Sequence, residues 1–280
     1  MGFDTIEISH GTKVSLLPGI YRACLNGLVR VSGVHNFCPS PVEIMIDAPD
    51  AYEYTSHRAF DRDRALALTL QTLETAVQYR GKYVVLHLGS TPMHGEQKKL
   101  AKMAAAGKLY SREFVKKKLG IVRQREKLSP IYFDRARAAL EKIVIQAEKH
   151  GVPVAVESRS HYEQVPDERE MLRLMEEYKD CPWVGYWHDF GHVQLKHNVG
   201  LLDHYEWLEA MRPYLLGGHI HDVEWPAKDH RVPLSVGGVE YDRLMPLFPV
   251  DKPLVWELSF SRRKEQIIEC LAKWRQRYPH

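Results

Sequence analysis

Short runs of β-branched and aromatic residues alternate with longer amphipathic stretches along the chain. The short runs are "FDTIEIS", "VRVSGVHNF", "KYVVLHLG", "VPVAVES", "WVGYWHD", "LLGGHIHDV" and "PLVWELS". The stretches "RALALTLQTLETAVQYRG", "YFDRARAALEKIVIQAEKHG" and "EREMLRLMEEYKD" carry apolar residues at helical spacing, which predicts amphipathic helices. Gly81 and Gly151 are expected to cap the ends of the first two helices, and Asp167 with Glu170 to begin the third.

This alternation predicts an α/β fold with about seven strands in a parallel sheet, either closed as a (β/α)8 TIM barrel or open and doubly wound. No G-x-G-x-x-G or Walker loop follows any of the strands, which favours the barrel over a nucleotide-binding open sheet. The first predicted strand begins at Gly2, so a (β/α)8 barrel would be expected to be one βα unit short. We expect either that an upstream start was missed or that a seven-stranded barrel closes its seam by other means.

The whole chain, 1–280, is predicted to form a single barrel domain. One segment within it departs from the alternation of strands and helices. The segment covers about 91–130, after the strand that ends near His87, and is predicted to be a helical insertion. It carries 11 Lys or Arg against 3 Glu. Such runs are usually solvated faces, but one that overhangs the barrel mouth would attract an anionic substrate.

The amino-acid composition limits the kinds of binding partner and the cellular compartment that can be expected. The 44% of apolar residues can fill a continuous core, and the net charge of +3 gives no general case for a nucleic-acid or membrane partner. No apolar run approaches the ~20 residues that cross a bilayer, and the N-terminus lacks a signal-peptide pattern. Four cysteines lie far apart without a C-x-x-C pair, which predicts free thiols in a reducing cytoplasm.

Ionisable side chains stand at the end of every predicted strand. They are Glu7, His35, His87, Glu157, Asp189 with His192, His219 with His221, and Glu257. In a parallel barrel these ends surround one pocket. Carboxylates and imidazoles, rather than lysines and arginines, form the set that binds divalent metals. The pattern therefore predicts a metal site at the barrel mouth.

Each of these residues also has an interpretation without a metal. A carboxylate at the end of an apolar run costs free energy unless it is paired, so Glu157 or Glu257 could form a buried ion pair with Arg159 or Arg262. A single histidine can instead bond a backbone carbonyl. Glu7 is most simply a pocket-wall residue or a partner of a ligand.

The strand-end motifs resemble those of a known superfamily. "IEIS", "GVHNF", "VLHLG", "VAVES", "HDFGH", "GHIHDVEWPAKDH" and "VWELS" are similar in order and spacing to the motifs of xylose isomerase-like TIM barrels. That superfamily includes sugar isomerases and epimerases and the endonuclease IV branch of DNA repair. The resemblance covers nearly the whole chain from the family's second strand onward.

The resemblance implies roles for individual residues. It implies one divalent metal, Zn, Mn or Co, held by Glu157, Asp189, His219 and Glu257. Additional histidines match those of the multi-zinc nuclease branch: His35, His87, His192 and His230. They are candidates for a second metal site, in which case more than one Zn could bind, or for substrate contacts.

Two histidines in "HIHD" compete for one ligand position, and we expect only one of them to point into the pocket. His219 is preferred, because Asp222 follows it as in the family's His-x-x-Asp pattern. His221 and Arg159 are then candidates for substrate binding.

The resulting hypothesis is a metal-dependent isomerase or epimerase acting on a small carbohydrate, with Glu157 and Glu257 as the catalytic proton-transfer groups. Three alternatives remain open. They are an endonuclease IV-like zinc phosphodiesterase, a lyase or hydratase acting on oxidised glycosides, and a barrel that binds a sugar without turnover. We expect no membrane partner and no nucleic acid, and we leave association into a homo-oligomer open.

Overall fold

The computed structural model describes residues 1–44 and 50–278. The strands within these residues are β1 (Thr5–Ile8), β2 (Arg30–His35), β3 (Val84–Leu86), β4 (Gly89–Ser90), β5 (Val154–Glu157), β6 (Gln164–Val165), β7 (Val184–Asp189), β8 (Leu215–Ile220), β9 (Asp222–Glu224), β10 (Lys228–Arg231) and β11 (Leu254–Trp256). The α-helices are α1 (Leu17–Leu25), α2 (Ala59–Gln78), α3 (Glu96–Ala105), α4 (Arg112–His150), α5 (Glu168–Glu177), α6 (Phe190–Asn198), α7 (His204–Met211), α8 (Tyr241–Leu244) and α9 (Lys264–Arg277).

Seven of the strands form one parallel sheet in the order β1-β2-β3-β5-β7-β8-β11. Each predicted β-run supplies one of these strands, which confirms the predicted parallel barrel and its seven strands. The remaining strands form two short antiparallel pairs, β4 with β6 and β9 with β10. Both pairs follow C-terminal strand ends and therefore surround the predicted pocket.

The end strands β1 and β11 meet through side chains. No strand pairing joins them within the described residues. The rings of Phe3 and Trp256 lie edge to face with centroids 5.5 Å apart, and Arg275 of α9 donates to the carbonyl of Gly2 at 2.6 Å. The seam of the barrel is thus bridged by packing rather than by a backbone ladder.

Aromatic side chains fill the barrel interior. Tyr83 and Trp187 pack with ring centroids 4.4 Å apart. Two glycines make room for them, because a Cβ at Gly33 would lie 2.2 Å from the Tyr83 ring and one at Gly217 would lie 2.2 Å from Trp187. The filled interior forms a floor beneath the strand ends, which confines ligand chemistry to the C-terminal mouth.

The predicted helix boundaries are mostly reproduced. Asp167 and Glu170 form a capping box at the start of α5, and Gly151 ends α4 with φ 66°. The cap predicted at Gly81 is wrong. The left-handed position after α2 is taken by Arg80, with φ 57°.

The insertion is helical, as predicted, but it has no boundary at 130. It consists of α3 and the first half of α4, a 39-residue helix that continues as a barrel helix. Pro130 lies inside α4 on its exposed face. The carbonyl that loses its amide partner there can be solvated, so the proline does not end the helix. No helix within 1–44 and 50–278 has the length and apolar character needed to cross a membrane.

Candidate metal centre

Glu157, at the end of β5, lies at the centre of the strand-end cluster and is completely buried. Its Oε2 is 3.1 Å from His35 Nε2 and 2.8 Å from His87 Nε2. Its Oε1 is 3.3 Å from the Nδ1 atoms of both His192 and His219. Burial alone would raise the pKa of Glu157, but positive charge on His87 and His219 lowers it well below its usual range. The carboxylate is therefore ionised and faces four imidazoles.

The four ligands implied by the resemblance come together at this point. One ligand atom from each of Glu157, Asp189, His219 and Glu257 lies within 4.8 Å of the others. His219 Nδ1 is 3.8 Å from Asp189 Oδ2 and 3.4 Å from Glu257 Oε2. The strands β5, β7, β8 and β11 are consecutive neighbours in the sheet, so their ends converge on one side of the mouth. This arrangement can hold a divalent cation.

Glu7 orients the ring of His219. Its Oε1 lies 2.9 Å from His219 Nε2, so that nitrogen carries the proton and donates it. When a metal is bound, Nδ1, which faces the carboxylates, is the nitrogen left to coordinate it. A carboxylate bonded to the far nitrogen of a histidine is the usual companion of a metal ligand. The sequence interpretation of Glu7 as a partner of a ligand agrees with this contact.

One oxygen of the cluster supports a metal because no hydrogen bond from the described part of the chain satisfies it, although the ring of His219 lies 3.4 Å away. Glu257 Oε2 is buried and has no hydrogen-bond partner among the described residues. A buried acceptor without a donor costs roughly 1–3 kcal/mol, and more when charged. A divalent cation would satisfy this oxygen, and the donor set of two Glu, one Asp and one His suits Zn, Mn or Co.

The motif "HDFGH" divides between two environments. Asp189 ends β7 and caps α6, accepting a hydrogen bond from the His192 amide at 2.6 Å. His188 faces the opposite side of the strand, where its ring contacts Tyr186 and His204. Burial lowers the pKa of His188 to about 3. His188 is thus a neutral core residue, whereas Asp189 and His192 face the mouth.

His219 and His221 both face the cluster, so the expectation that only one would do so is wrong. They are two residues apart, and side chains at that spacing share one face of a strand. His221 Nε2 lies 3.0 Å from Asp189 Oδ1, and His221 Nδ1 accepts the amide of His230 at 2.9 Å. Both ring nitrogens are therefore engaged within the protein, which leaves His221 no free nitrogen for the substrate contact predicted from the sequence.

The additional histidines form two further groups around the same acids. The atoms of His35, Glu157 and His219 lie within 4.8 Å of one another, and a second group at the same spacing contains His192, His221, His230 and Glu257. His87 adjoins the first group through Glu157. All four extra histidines of the sequence analysis thus border the predicted centre.

Arg159 and Asp50 extend the cluster outward. The predicted alternative of an ion pair between Arg159 and Glu157 is wrong, because Arg159 Nη2 pairs with Asp50 Oδ2 at 2.7 Å. Asp50 Oδ1 in turn lies 3.0 Å from His87 Nδ1. Burial would raise the pKa of Asp50, but Arg159 and His87 lower it. Sequence analysis missed Asp50, since it lies in a segment without strand or helix periodicity.

The loop after β5, which carries Arg159, is fixed by the insertion. Glu163, at the end of this loop, accepts a hydrogen bond from the amide of Gln97 at 3.0 Å and so caps α3. The Gln97 side chain donates to the carbonyl of Ser160 at 2.8 Å. The first helix of the insertion therefore holds one wall of the mouth.

Arg125 of α4 binds the same loop from below. Its buried guanidinium donates to the carbonyls of Tyr162 at 2.7 Å and Gln164 at 2.8 Å. It also pairs with Asp167 and Glu170, the two capping residues of α5, each at 2.7 Å. Part of the positive charge of the insertion is thus used inside the protein rather than offered to a ligand.

The chain belongs to the xylose isomerase-like TIM barrel family, whose pattern matches residues 1–257. None of the curated proteins matches the sequence. Several solved structures have the same fold. The apo form of 3-keto-D-glucoside 4-epimerase, YcjR, from E. coli has a TM-score of 0.67 and 16% identity, with 98% of this chain and 90% of that chain covered.

Two other solved structures are similar to nearly the whole chain. D-psicose 3-epimerase, in the presence of D-fructose, has a TM-score of 0.65 and 14% identity, covering 100% of this chain and 90% of that one. The IolI protein with a bound zinc atom has a TM-score of 0.67 and 14% identity, covering 100% and 91%. At these identities the likeness establishes the fold.

Proposed function

We propose that this protein is a divalent-metal-dependent isomerase or epimerase acting on a small carbohydrate. The observation that carries the proposal is the convergence of Glu157, Asp189, His219 and Glu257 within 4.8 Å at the barrel mouth. Sugar epimerases among the similar structures, and a zinc atom in one of them, support it. The free thiols of all four cysteines are in keeping with a cytoplasmic location.

In this mechanism, Glu157, Asp189, His219 and Glu257 would hold the metal, which when bound would supply Lewis-acid polarisation of a sugar carbonyl. Glu157 and Glu257 remove and return the proton at the neighbouring carbon. Asp189 and His219 act only as ligands. Burial lowers the pKa of His192, but without a metal Asp189 and Glu157 raise it to about 9. Its ring faces the mouth and is proposed to donate a hydrogen bond to a substrate oxygen.

Arg159 is proposed to contact the substrate from the wall of the mouth. It is buried, and its Nε and Nη1 atoms have no partner among the described residues. These donors suit hydroxyl or carboxylate oxygens of a sugar. The basic insertion is compatible with an anionic substituent on that sugar.

The test is a solvent-exchange assay on protein loaded with Zn, Mn or Co after chelator treatment. A panel of keto-sugars and 3-keto-glycosides is incubated in D2O, and deuterium at the carbon next to the carbonyl is followed by NMR. The expected result is about one metal equivalent and metal-dependent exchange with at least one sugar. Metal binding without exchange or isomerisation of any sugar would favour the non-catalytic sugar-binding barrel.

A second candidate function is a multi-zinc phosphodiesterase of the endonuclease IV type. The observation in its favour is that two further groups of candidate ligands share Glu157 and Glu257 with the central site. Two or three zinc equivalents with cleavage of abasic DNA would establish it and remove the isomerase. A lyase or hydratase would instead change the mass or absorbance of an oxidised glycoside in the same panel.

A further inference from the structure

Gly191, in the first turn of α6, lies directly against the ring of His221. A Cβ built at Gly191 would be 1.9 Å from His221 Cε1 and 2.1 Å from His221 Nδ1. Real Cβ atoms do not approach other atoms this closely, and the backbone of Gly191 is not left-handed. Glycine is therefore required here for space, so that the Nδ1–Cε1–Nε2 edge of the imidazole can lie against the turn that follows Asp189.

The hydrogen bonds of His221 fix its tautomer. The backbone amide of His230 donates to Nδ1 at 2.9 Å, which requires a lone pair on that nitrogen. The proton of the neutral ring then lies on Nε2, which donates to Asp189 Oδ1 at 3.0 Å. Nε2 has no lone pair to offer a cation, although His221 lies within one of the candidate ligand groups.

The same contacts fix the carboxylate of Asp189. His221 Nε2 lies 3.0 Å from Oδ1 and 3.2 Å from Oδ2, and Oδ1 also accepts the amide of His192 at 2.6 Å. Oδ2 is in addition 3.8 Å from Nδ1 of the candidate ligand His219. The carboxylate is thus held by protein donors at the edge of the proposed metal site.

We infer that His221 is a positioning residue that holds the carboxylate of Asp189, and that position 191 is a glycine because only a glycine leaves room for the His221 ring. The inference rests on the proposed function, because it takes Asp189 as a metal ligand. Residues that orient a ligand typically contribute 10- to 100-fold to metal affinity. His221 therefore acts on the metal without touching it.

The experiment measures Co²⁺ affinity of the full chain by chelator competition, together with the visible Co²⁺ spectrum and the number of equivalents bound. His221→Asn reaches only the position of Nδ1 and removes the donor at Nε2 that faces the Asp189 carboxylate. His221→Gln places an amide N–H near the position of Nε2. Gly191→Ala keeps both His221 and Asp189 but displaces the ring. The matched controls are His204→Asn, at a buried histidine outside the ligand groups, and Gly120→Ala, at a helical glycine with open space.

We expect His221→Asn and Gly191→Ala to weaken Co²⁺ binding by about 10- to 100-fold and to alter the Co²⁺ spectrum, without changing the number of equivalents. His221→Gln should restore most of the affinity, and both controls should bind as the unmodified chain does. Gly191→Ala keeps the test decisive if the histidine variants fail to fold.

Three results would overturn the inference. Unchanged affinity in both His221→Asn and Gly191→Ala would remove the positioning role while leaving the proposed function intact. Loss of one whole metal equivalent in His221→Asn would make His221 a ligand instead. Absence of any Co²⁺, Zn²⁺ or Mn²⁺ binding by the unmodified chain would reject the proposed function itself, and the positioning role with it.

Discussion

The candidate metal centre has two sides that differ in how firmly the protein holds them. Glu157, Asp189 and His219, on interior strands, are 0% exposed and bonded to other protein groups. Glu257 follows β11, an end strand whose residues are only half-buried, and its side chain is 26% exposed. The ligand groups are therefore of similar type on both sides, but the buried side is rigid and the Glu257 side is looser. The difference suggests three prearranged ligands and a fourth that is fixed by the metal.

The largest effect is expected from the rigid side, in Glu157→Gln. The amide would leave up to four imidazole nitrogens facing a neutral group and would remove a ligand, so affinity for Co²⁺ should fall by more than about 100-fold. Turnover of an identified sugar should fall by about 10³-fold or more. Chelator competition and the deuterium assay measure the two losses.

Glu163→Gln is the matched control, because Glu163 is also a buried glutamate at the mouth but binds backbone amides of α3. It should retain metal affinity. Metal binding by Glu157→Gln at the level of the unmodified chain would show that the buried side is not the site.

Glu257→Gln, on the looser side, should separate binding from proton transfer. The amide oxygen can still reach a cation, so affinity should fall by no more than about 10-fold, whereas turnover should fall by about 10²- to 10⁴-fold. Glu265→Gln, on the exposed surface of α9, is the control. Equal losses of affinity in the Glu157 and Glu257 variants would erase the distinction between the two sides.

Metal binding should reduce local motion more on the Glu257 side of the site than on the buried side. Saturation at about 100 times Kd stabilises the whole protein by about 2.7 kcal/mol, but the local effect should be greatest where protection is lowest. Hydrogen exchange followed by mass spectrometry should slow by about 10-fold in peptides that contain β11. Peptides that contain β7 should change less. A larger change at β7 than at β11 would contradict the prearranged geometry.

The smallest effect concerns stability without metal. Trp187 is completely buried inside the barrel, whereas Trp256 is half-buried at the seam. Trp187→Phe should lower the free energy of unfolding by about 2 kcal/mol and Trp256→Phe by about 1 kcal/mol or less, because the buried site cannot collapse around the lost ring. Urea unfolding of the chelator-treated proteins measures both, and the reverse order would refute the comparison.

The barrel and the convergence of the four strand ends could be predicted because both follow from short-range patterns. A β-branched run identifies a strand, and parallel strands bring their C-terminal ends together wherever they lie in the sequence. Residue type then supplies the metal-binding chemistry at the strand ends, and the resemblance to xylose isomerase-like barrels selects Glu157, Asp189, His219 and Glu257 among them. Side chains alternate between the two faces of a strand, so His188 lies on the face opposite Asp189, its neighbour in sequence. By the same rule His221, two residues after His219, lies on the same face as His219.

Other features depend on tertiary contacts that no local pattern carries. Asp50 reaches Arg159 and His87 from a segment without periodicity, and the need for Gly191 depends on a ring 30 positions further along the chain. The end of the insertion predicted at about 130 is wrong, and Pro130 lies inside α4 instead. A helix-breaking residue is tolerated where its side of the helix is exposed, and only the packed structure shows which side that is.

Arg125 has a consequence for how this protein could be shortened. A single guanidinium links the first half of α4 to the loop after β5 and to the capping box of α5. Deleting the extra helical segment would remove, in one step, the side-chain donor of two carbonyls and the cation paired with two carboxylates. The segment is therefore no detachable module, and a minimal version of the barrel would need a redesigned loop and helix start before it could dispense with those residues.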